Sequence, residues 1–363
     1  MRVGIVGGGQ LGRMLALAGY PLGLRCRALE ASAASPAGQV TECYEGQYDD
    51  LAVLERFVAG LEVATYEFEN VPAATARFLQ ERLPVYPPPL ALETAQDRLS
   101  EKNLFAQLGI PVPAFAPIDT EAQLGAAIAQ IGLPAVLKTR HLGYDGRGQA
   151  VLRTPEQVRD AWEEMAGVPL ILEDFVEFER ELSLIAVRGR GGETAFYPVV
   201  ENHHREGILR LTLAPAPDLE EGLQEEAEEY TRRVMAALDY VGVLTIEFFA
   251  CRGRLLANEM ACRVHNSGHW TIEGALTSQF ENHLRAVMAW PLGQTAALGY
   301  SAMLNLIGAV PDTAAILRHP DAHLHLYGKE PRPRRKLGHL TLRATERAGL
   351  DTQLRTLQPL CDP

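Results

Sequence analysis

Lys138-Thr139-Arg140-His141-Leu142-Gly143-Tyr144-Asp145-Gly146-Arg147-Gly148-Gln149 follows the apolar run Ala135-Val136-Leu137. A lysine that closes a buried strand and opens onto a loop with three glycines and two arginines is suited to cover a polyphosphate. The ammonium supplies fixed positive charge, and the glycines supply amides and freedom to move. The loop is not of the Walker type, because no GxxxxGK[ST] occurs anywhere in the chain. An ordinary hairpin loop is the alternative reading of the same residues.

Downstream, Leu170-Ile171-Leu172-Glu173-Asp174-Phe175-Val176, with Glu181 beyond it, is a strand that emerges into acidic residues. Such an edge can offer backbone groups to an adenine and a carboxylate to ribose hydroxyls, or can simply carry exposed surface acids. A firmer geometric argument comes from Gly242 to Met260. Glu247 and Glu259 lie six residues either side of Gly253 in largely apolar strands. A hairpin centred there sets the two carboxylates face to face, with Cβ atoms about 5 Å apart. Like charges so placed repel, and a divalent cation with oxygen ligands resolves the conflict. The argument depends on register, since a one-residue slip sends Glu259 to the other face.

Next comes Arg263-Val264-His265-Asn266-Ser267-Gly268-His269-Trp270-Thr271, a dense polar run leading into a helix. Asn266 or Ser267 can serve as N-cap, but capping leaves Arg263 and His265 without a task, which points to an anionic or hydrogen-bonding ligand. Lys329-Glu330-Pro331-Arg332-Pro333-Arg334-Arg335-Lys336 places five basic residues in eight. Its prolines keep it extended, so it reads as a phosphate-capturing segment or a solvated basic loop. At the N-terminus, Gly7-Gly8-Gly9-Gln10-Leu11-Gly12 is a GxGxxG match between a strand and a helix. Three readings are open there: a substrate phosphate on bare amides, a structural tight turn, or a nicotinamide dinucleotide with Glu30 on its ribose.

The 363 residues exceed what one core usually organises, which predicts two or three domains. Short strands alternating with helices give a βαβ layer over residues 1–96, ended by the prolines at 84 and 87–89. An ATP-handling α/β body is expected over 97–290, with a lid subdomain at about 114–175, and a small β-rich unit over 291–363. Thr194 to Val200 reads as one strand and Glu220 to Leu238 as one helix. A net charge of −12 argues against nucleic acid or an anionic membrane surface as partner. Five scattered cysteines without a CxxC pair indicate neither a disulfide framework nor a zinc site, and a reducing cytoplasm is expected.

With these residues in place, the chain resembles the N5-carboxyaminoimidazole ribonucleotide synthetases, ATP-grasp ligases of purine synthesis. The resemblance runs through GGGQLGRML, ENVP at 69–72, RLSEKNLF at 98–105, GYDGRGQ, RVHNSGHWT and RKLGHL at 335–340. It implies an α/β fold, α+β in part: a Rossmann-like N-terminal domain, a two-subdomain ATP-grasp core and a small β-rich C-terminal domain. It also implies ATP with magnesium (or manganese), bicarbonate and 5-aminoimidazole ribonucleotide as substrates, and a homodimer. A formate-using glycinamide ribonucleotide transformylase and a nucleotide-binding protein without turnover are the rival readings.

Carried over by motif, Arg98, Lys138 and the loop Gly143, Tyr144, Asp145, Gly146, Arg147, Gly148 and Gln149 would hold and cover phosphates. Glu173, Asp174, Phe175, Val176, Glu181 and His204 would take the nucleoside side. Glu247 and Glu259 would carry the metal, with Asn258 beside them. Gln10, Leu11, Tyr144, Arg263, His265, Asn266, Lys329 and Arg335 would line the ribonucleotide and bicarbonate side, with Lys138, Arg263, His265 and Lys329 nearest the chemistry. Three departures stand out. Leu142 and Arg334 occupy positions commonly glycine, and Cys262 replaces a proline before Arg263. Leu142 is expected to stiffen the loop.

Overall fold

Runs of apolar residues without polar alternation belong to strands covered on both faces. Arg2–Val6 and Val63–Tyr66 are of that kind, and both are buried almost throughout. In the computed structural model, which describes residues 1–143, 146 and 148–361, they form a four-stranded parallel sheet. Its order is Glu42–Glu45, Arg25–Glu30, Arg2–Val6, Val63–Tyr66. The edge strand Glu42–Glu45 is polar and partly exposed, so no apolar pattern announces it.

The second sheet is antiparallel, in the order Phe115–Ile118, Leu170–Asp174, Ala135–Thr139, Gln149–Leu152. Two helices cover it. Glu121–Ile131 begins at a capping box made by Thr120 and Gln123, and Pro155–Met165 begins at Thr154 with proline at its first position. Ile118, Leu124, Leu137, Leu152, Leu170 and Leu172 give this unit its own core.

The third sheet has nine strands and is antiparallel. Its main path runs Arg254–Ala261, Gly242–Cys251, Arg180–Arg188, Val200–Arg205, Ile208–Ala214, Tyr300–Ile307, Lys336–Ala344, Ala322–Leu326. The strands after residue 291 therefore extend the same sheet that carries Glu247 and Glu259. A closing helix, Arg347–Cys361, seats Leu350, Leu354 and Leu357 on that extension. The stretch read as one strand, Thr194 to Val200, is divided. Thr194–Phe196 pairs with Arg180–Arg188, the ladder breaks at Tyr197-Pro198, and a new strand starts at Val200. Proline cannot donate to a ladder, which accounts for the break. The helix expected from Glu220 starts at Leu223, because Gly222 holds a left-handed backbone ahead of it.

One histidine joins the first sheet to the third. His283, on the helix Gln279–Val287, is fully buried between Thr65 and Val243. The Val243 amide donates to Nδ1 at 3.1 Å, so the ring proton sits on Nε2 and is donated to Thr65 Oγ1 at 2.7 Å. Gly242, at φ 111°, leaves the ring its room, since a Cβ there would lie 2.9 Å from His283 Cε1. Burial pushes the His283 pKa down to about 3 from 6.5. Between those values the unfolded chain binds the extra proton, so this stability is present above about pH 6.5 and is lost as pH falls toward 3. Urea unfolding at pH 7.5 and 5.5 is expected to show a smaller loss on acidification for His283→Gln than for the native chain. Equal losses would remove His283 as the source.

Candidate functional site

Arg252 and Gly253 both adopt positive φ, 50° and 71°, the pattern of a two-residue type I′ turn, and Cys251 pairs with Arg254 across it. The turn is therefore centred between Arg252 and Gly253, half a residue from where the sequence reading put it. Uninterrupted, that register would oppose Glu247 to Asn258. Instead Phe248 pairs with Ala257 and Glu247 with Glu259, so Asn258 is the extra residue of a bulge that returns the two carboxylates to facing positions.

Each carboxylate meets a different partner. Arg98 Nη1 donates to Glu259 Oε2 at 2.9 Å. Burial alone would raise the Glu259 pKa, but Arg98 and then Lys138 and Lys102 pull it below its ordinary value. Glu247 lacks such a partner: burial, then Glu259, push it up to about 7. Its neighbour is His265, with Nε2 3.5 Å from Oε1. The Ser267 amide donates to His265 Nδ1 at 3.3 Å, so the proton sits on Nε2, facing Glu247. Burial, then Arg263, hold His265 neutral. His204, on the adjoining hairpin, stands 2.7 Å from Glu181. Burial lowers its pKa, but Glu181 and Glu247 raise it above the ordinary value.

A second wall comes from the four-stranded antiparallel sheet. Lys138 Nζ donates to Glu173 Oε2 at 2.9 Å, and Lys102 Nζ lies 3.4 Å from the same oxygen. Burial would raise Glu173, yet Lys102 and Lys138 hold it at about 2. Arg98 and Lys102 share the helix Arg98–Gln107, whose N-cap Asp97 also binds Arg140 at 2.9 and 2.5 Å.

The glycine-rich loop is not the bare anion site its sequence suggests. Glu67 accepts from the Gly9 and Gly12 amides at 2.9 and 3.1 Å, and Glu30 accepts from the Gly8 amide at 2.9 Å. Glu30, which the dinucleotide reading gave to a ribose, is thus a loop acceptor. The loop presents Gln10, which accepts from Lys329. Leu11 turns its side chain into the core, leaving only its backbone to meet a ligand. Arg263 pairs with Glu69 at 3.1 Å. Asn266 and Asn305 exchange amide hydrogen bonds of 3.0 and 2.7 Å, and Gln279 grips both backbone groups of His265 at 2.9 and 2.6 Å.

The structure thus gathers Arg98, Lys138, Glu173, Glu181, His204, Glu247, Asn258 and Glu259 into one cluster, joined through His265 to Arg263 and Asn266. Gly143, Gly146 and Gly148 lie on the loop beyond Lys138, and Gln149 opens the next strand, paired with Lys138 itself. Asp174 is exposed, Phe175 lies under Arg153 and Val176 follows at the strand exit. Arg335 bonds the Glu330 carbonyl at 3.2 Å. Tyr144, Asp145 and Arg147 lie outside the described residues. Leu142 and Arg334 keep left-handed backbones, φ 61° and 63°. Sequence reading passed over Glu67, Glu69, Glu101, Lys102, Gln279 and Asn305. A signal existed for Lys102, four residues after Arg98 and so on the same helix face.

The donor set fits a hard divalent cation. Among the described residues no group of three or more His, Cys, Asp or Glu converges. The two facing carboxylates and Asn258 Oδ1, a buried acceptor with no hydrogen-bond partner among the described residues, offer oxygen donors only. Magnesium binds that way, through one or two carboxylates while waters and phosphates fill the rest.

The chain matches the ribonucleotide synthetase preATP-grasp domain over residues 1–96, the ATP-grasp domain over 103–280 and the phosphoribosylaminoimidazole carboxylase C-terminal domain over 301–353. It is 53% identical to N5-carboxyaminoimidazole ribonucleotide synthase of Pseudomonas aeruginosa over 362 residues, which is 100% of both chains. The crystal structure of N5-carboxyaminoimidazole ribonucleotide synthetase from Thermus thermophilus superposes with a TM-score of 0.96 at 58% identity, over 99% of each chain. The Aspergillus clavatus synthase in complex with ADP and 5-aminoimidazole ribonucleotide superposes with a TM-score of 0.93 at 32% identity, covering 99% of this chain and 98% of that one.

Glu247 supplies a pH test. Its folded pKa of about 7 lies above the ordinary 4.5, so its stabilisation is complete below pH 4.5 and is lost as pH rises through 7. Between pH 5 and 8, Glu247→Gln is expected to lose less thermal stability with rising pH than the native chain. At pH 8 it should melt roughly 2–4 °C higher, the scale of about 1 kcal/mol in a large domain. Parallel melting curves would place the repulsion elsewhere.

Proposed function

This chain belongs to the N5-carboxyaminoimidazole ribonucleotide synthase family, and from that premise we propose how its cleft divides the work. It is an ATP-grasp ligase that carboxylates 5-aminoimidazole ribonucleotide at the expense of ATP in purine biosynthesis. What supports the division is that His265 touches Glu247 on the metal side and belongs to the same polar loop as Arg263 and Asn266 on the other.

On this reading ATP lies between Glu173 with Lys138 and the pair Glu247 and Glu259, with its nucleoside toward Glu181 and His204. Magnesium held by Glu247, Glu259 and Asn258 would neutralise charge on the transferring phosphoryl group. A bicarbonate oxygen attacks the γ-phosphorus, the bond to the bridging oxygen breaks with its electrons going to ADP, and carboxyphosphate forms. The exocyclic amine then takes the carboxyl carbon, phosphate leaves with the C–O electron pair, and the nitrogen sheds a proton. Arg98 and Lys138 orient phosphate oxygens. Arg263, kept charged by Glu69, and neutral His265, kept in one tautomer by the Ser267 amide, face the bicarbonate. Lys329, Gln10 and Arg335 take the ribonucleotide phosphate, which gives an acidic protein its local cationic patch. The glycine loop over the cleft would exclude water while the acyl phosphate waits for the amine.

The division of domains at 96 and 290, a homodimer and a cytoplasmic location belong to the same proposal and rest on the family resemblance. Among the described residues no helix is long and apolar enough to cross a membrane.

ADP release with magnesium, ATP and bicarbonate is expected to depend on 5-aminoimidazole ribonucleotide. Glu259→Gln should lower it by roughly 100-fold or more, in a protein that still melts cooperatively. ADP release indifferent to the ribonucleotide would defeat the substrate assignment, and an active Glu259→Gln the metal assignment.

A further inference from the structure

Lysine is almost never fully buried, and Lys102 is wholly buried. Its ammonium has three donors and meets three acceptors: the Asn258 carbonyl at 2.7 Å, the Ala257 carbonyl at 3.3 Å and Glu173 Oε2 at 3.4 Å. Two of these are carbonyls of consecutive residues. Along a regular strand consecutive carbonyls point to opposite sides, so one side-chain tip binds both only where the strand is bulged. Arg254–Ala261 is also the edge strand of the nine-stranded sheet; among the described residues no strand pairs with its outer side, where the Ala257 amide donates to the Pro111 carbonyl at 2.8 Å. The adjacent residue Glu101 completes the hold by accepting from the Met260 amide at 2.5 Å. Backbone groups on both sides of Glu259 are thus fixed by two successive residues of one helix.

We propose that Lys102 is a positioning residue. By binding the Ala257 and Asn258 carbonyls together it selects the bulged register that sets Glu259 opposite Glu247, and through Glu173 it ties that register to the nucleotide wall. The slipped, bulge-free strand would offer the ammonium one carbonyl, and would oppose Asn258 instead of Glu259 to Glu247. An apolar side chain of similar length would fill the space but would not distinguish the two registers. The inference rests on the metal reading of the carboxylate pair given above.

The test is Mn2+ binding to the full chain with ADP, followed through the electron paramagnetic resonance of free Mn2+, for the native chain, Glu259→Gln, Lys102→Met and Phe105→Leu. Phe105 is buried on the same helix, in the same apolar core as Ala257, and has no polar group with which to hold the strand's carbonyls. Lys102→Met is expected to weaken Mn2+ binding by roughly 10- to 100-fold, as loss of a group that orients a ligand does. Phe105→Leu should melt earlier yet bind Mn2+ within about twofold of the native chain. Hydrogen exchange over residues 254–261 should quicken in the methionine variant alone. Native-like Mn2+ affinity in Lys102→Met, or an equal loss in Phe105→Leu, overturns the inference, while a weak Glu259→Gln leaves the metal reading standing. If Glu259→Gln binds Mn2+ like the native chain, the metal reading fails first and takes this one with it. Should the methionine variant not fold, Lys102→Arg decides by the same criterion, because a planar guanidinium cannot converge on these three acceptors. If neither folds, Lys102 is a core residue and the proposal falls.

Discussion

Two carboxylates facing each other across a hairpin are costly, and the organisation of the residues around them follows from keeping Glu247 and Glu259 there. At an effective dielectric of about 20, like charges about 5 Å apart repel by roughly 3 kcal/mol. The fold answers that repulsion asymmetrically. Glu259 receives Arg98 directly, while Glu247 has neutral His265 as its nearest neighbour and only weaker relief from His204 and Lys336, and is left near the threshold of ionisation. Had both received an arginine, the pair would be a structural salt-bridge cluster with little left to offer a cation. Had neither, the hairpin would have reason to slip by one residue and separate them.

The answering groups, three cations and one neutral imidazole, come from different layers. Arg98 and Lys102 arrive on one helix, Lys138 on the small antiparallel sheet, and His265 on the loop after the second strand of the hairpin. Asp97 couples the first two of these layers, capping the helix and binding Arg140 just past the end of the strand that bears Lys138. On the substrate side, internal carboxylates do the comparable work. Glu67 and Glu30 occupy the glycine-loop amides, and Glu69 holds Arg263. If the ribonucleotide phosphate binds on that side as proposed, an anion placed there by the chain itself would leave its recognition to side chains such as Lys329 rather than to the helix end.

Legibility in the sequence followed the range of the interaction. The hairpin was readable because a turn and two strands are local; its register came out correctly although the turn is centred half a residue away, since the bulge at Asn258 compensates. The buried lysine near the end of its strand was readable for the same reason. What could not be read were contacts made across layers. Lys102 looks like one more charge on an amphipathic helix until the edge strand lies against it, and GxGxxG looks like an open phosphate site until Glu67, 55 residues from Gly12, closes it. The final helix and the union of the C-terminal strands with the central sheet depend on long-range pairing of the same kind.

Leu142 and Arg334 show where backbone demand outlasts residue choice. Both stand where the family resemblance leads one to expect glycine, and both hold the left-handed conformation that glycine adopts without strain. For a residue with a Cβ that conformation costs on the order of 1 kcal/mol. Arg334 has an offset, since its guanidinium reaches the Glu206 carboxylate at 3.3 Å and the Glu206 carbonyl at 3.1 Å. Leu142 is 71% exposed, so burial of its side chain offsets little of the strain. The turn that Arg334 grips is also the one against which Gly146 of the lid loop rests, where a Cβ would lie 3.2 Å from the Glu206 carbonyl oxygen. The basic segment and Gly146 of the glycine loop therefore share one anchor, Glu206-Gly207. The arginine that departs from the pattern strengthens that anchor from one side, while the leucine strains the loop that leans on it from the other.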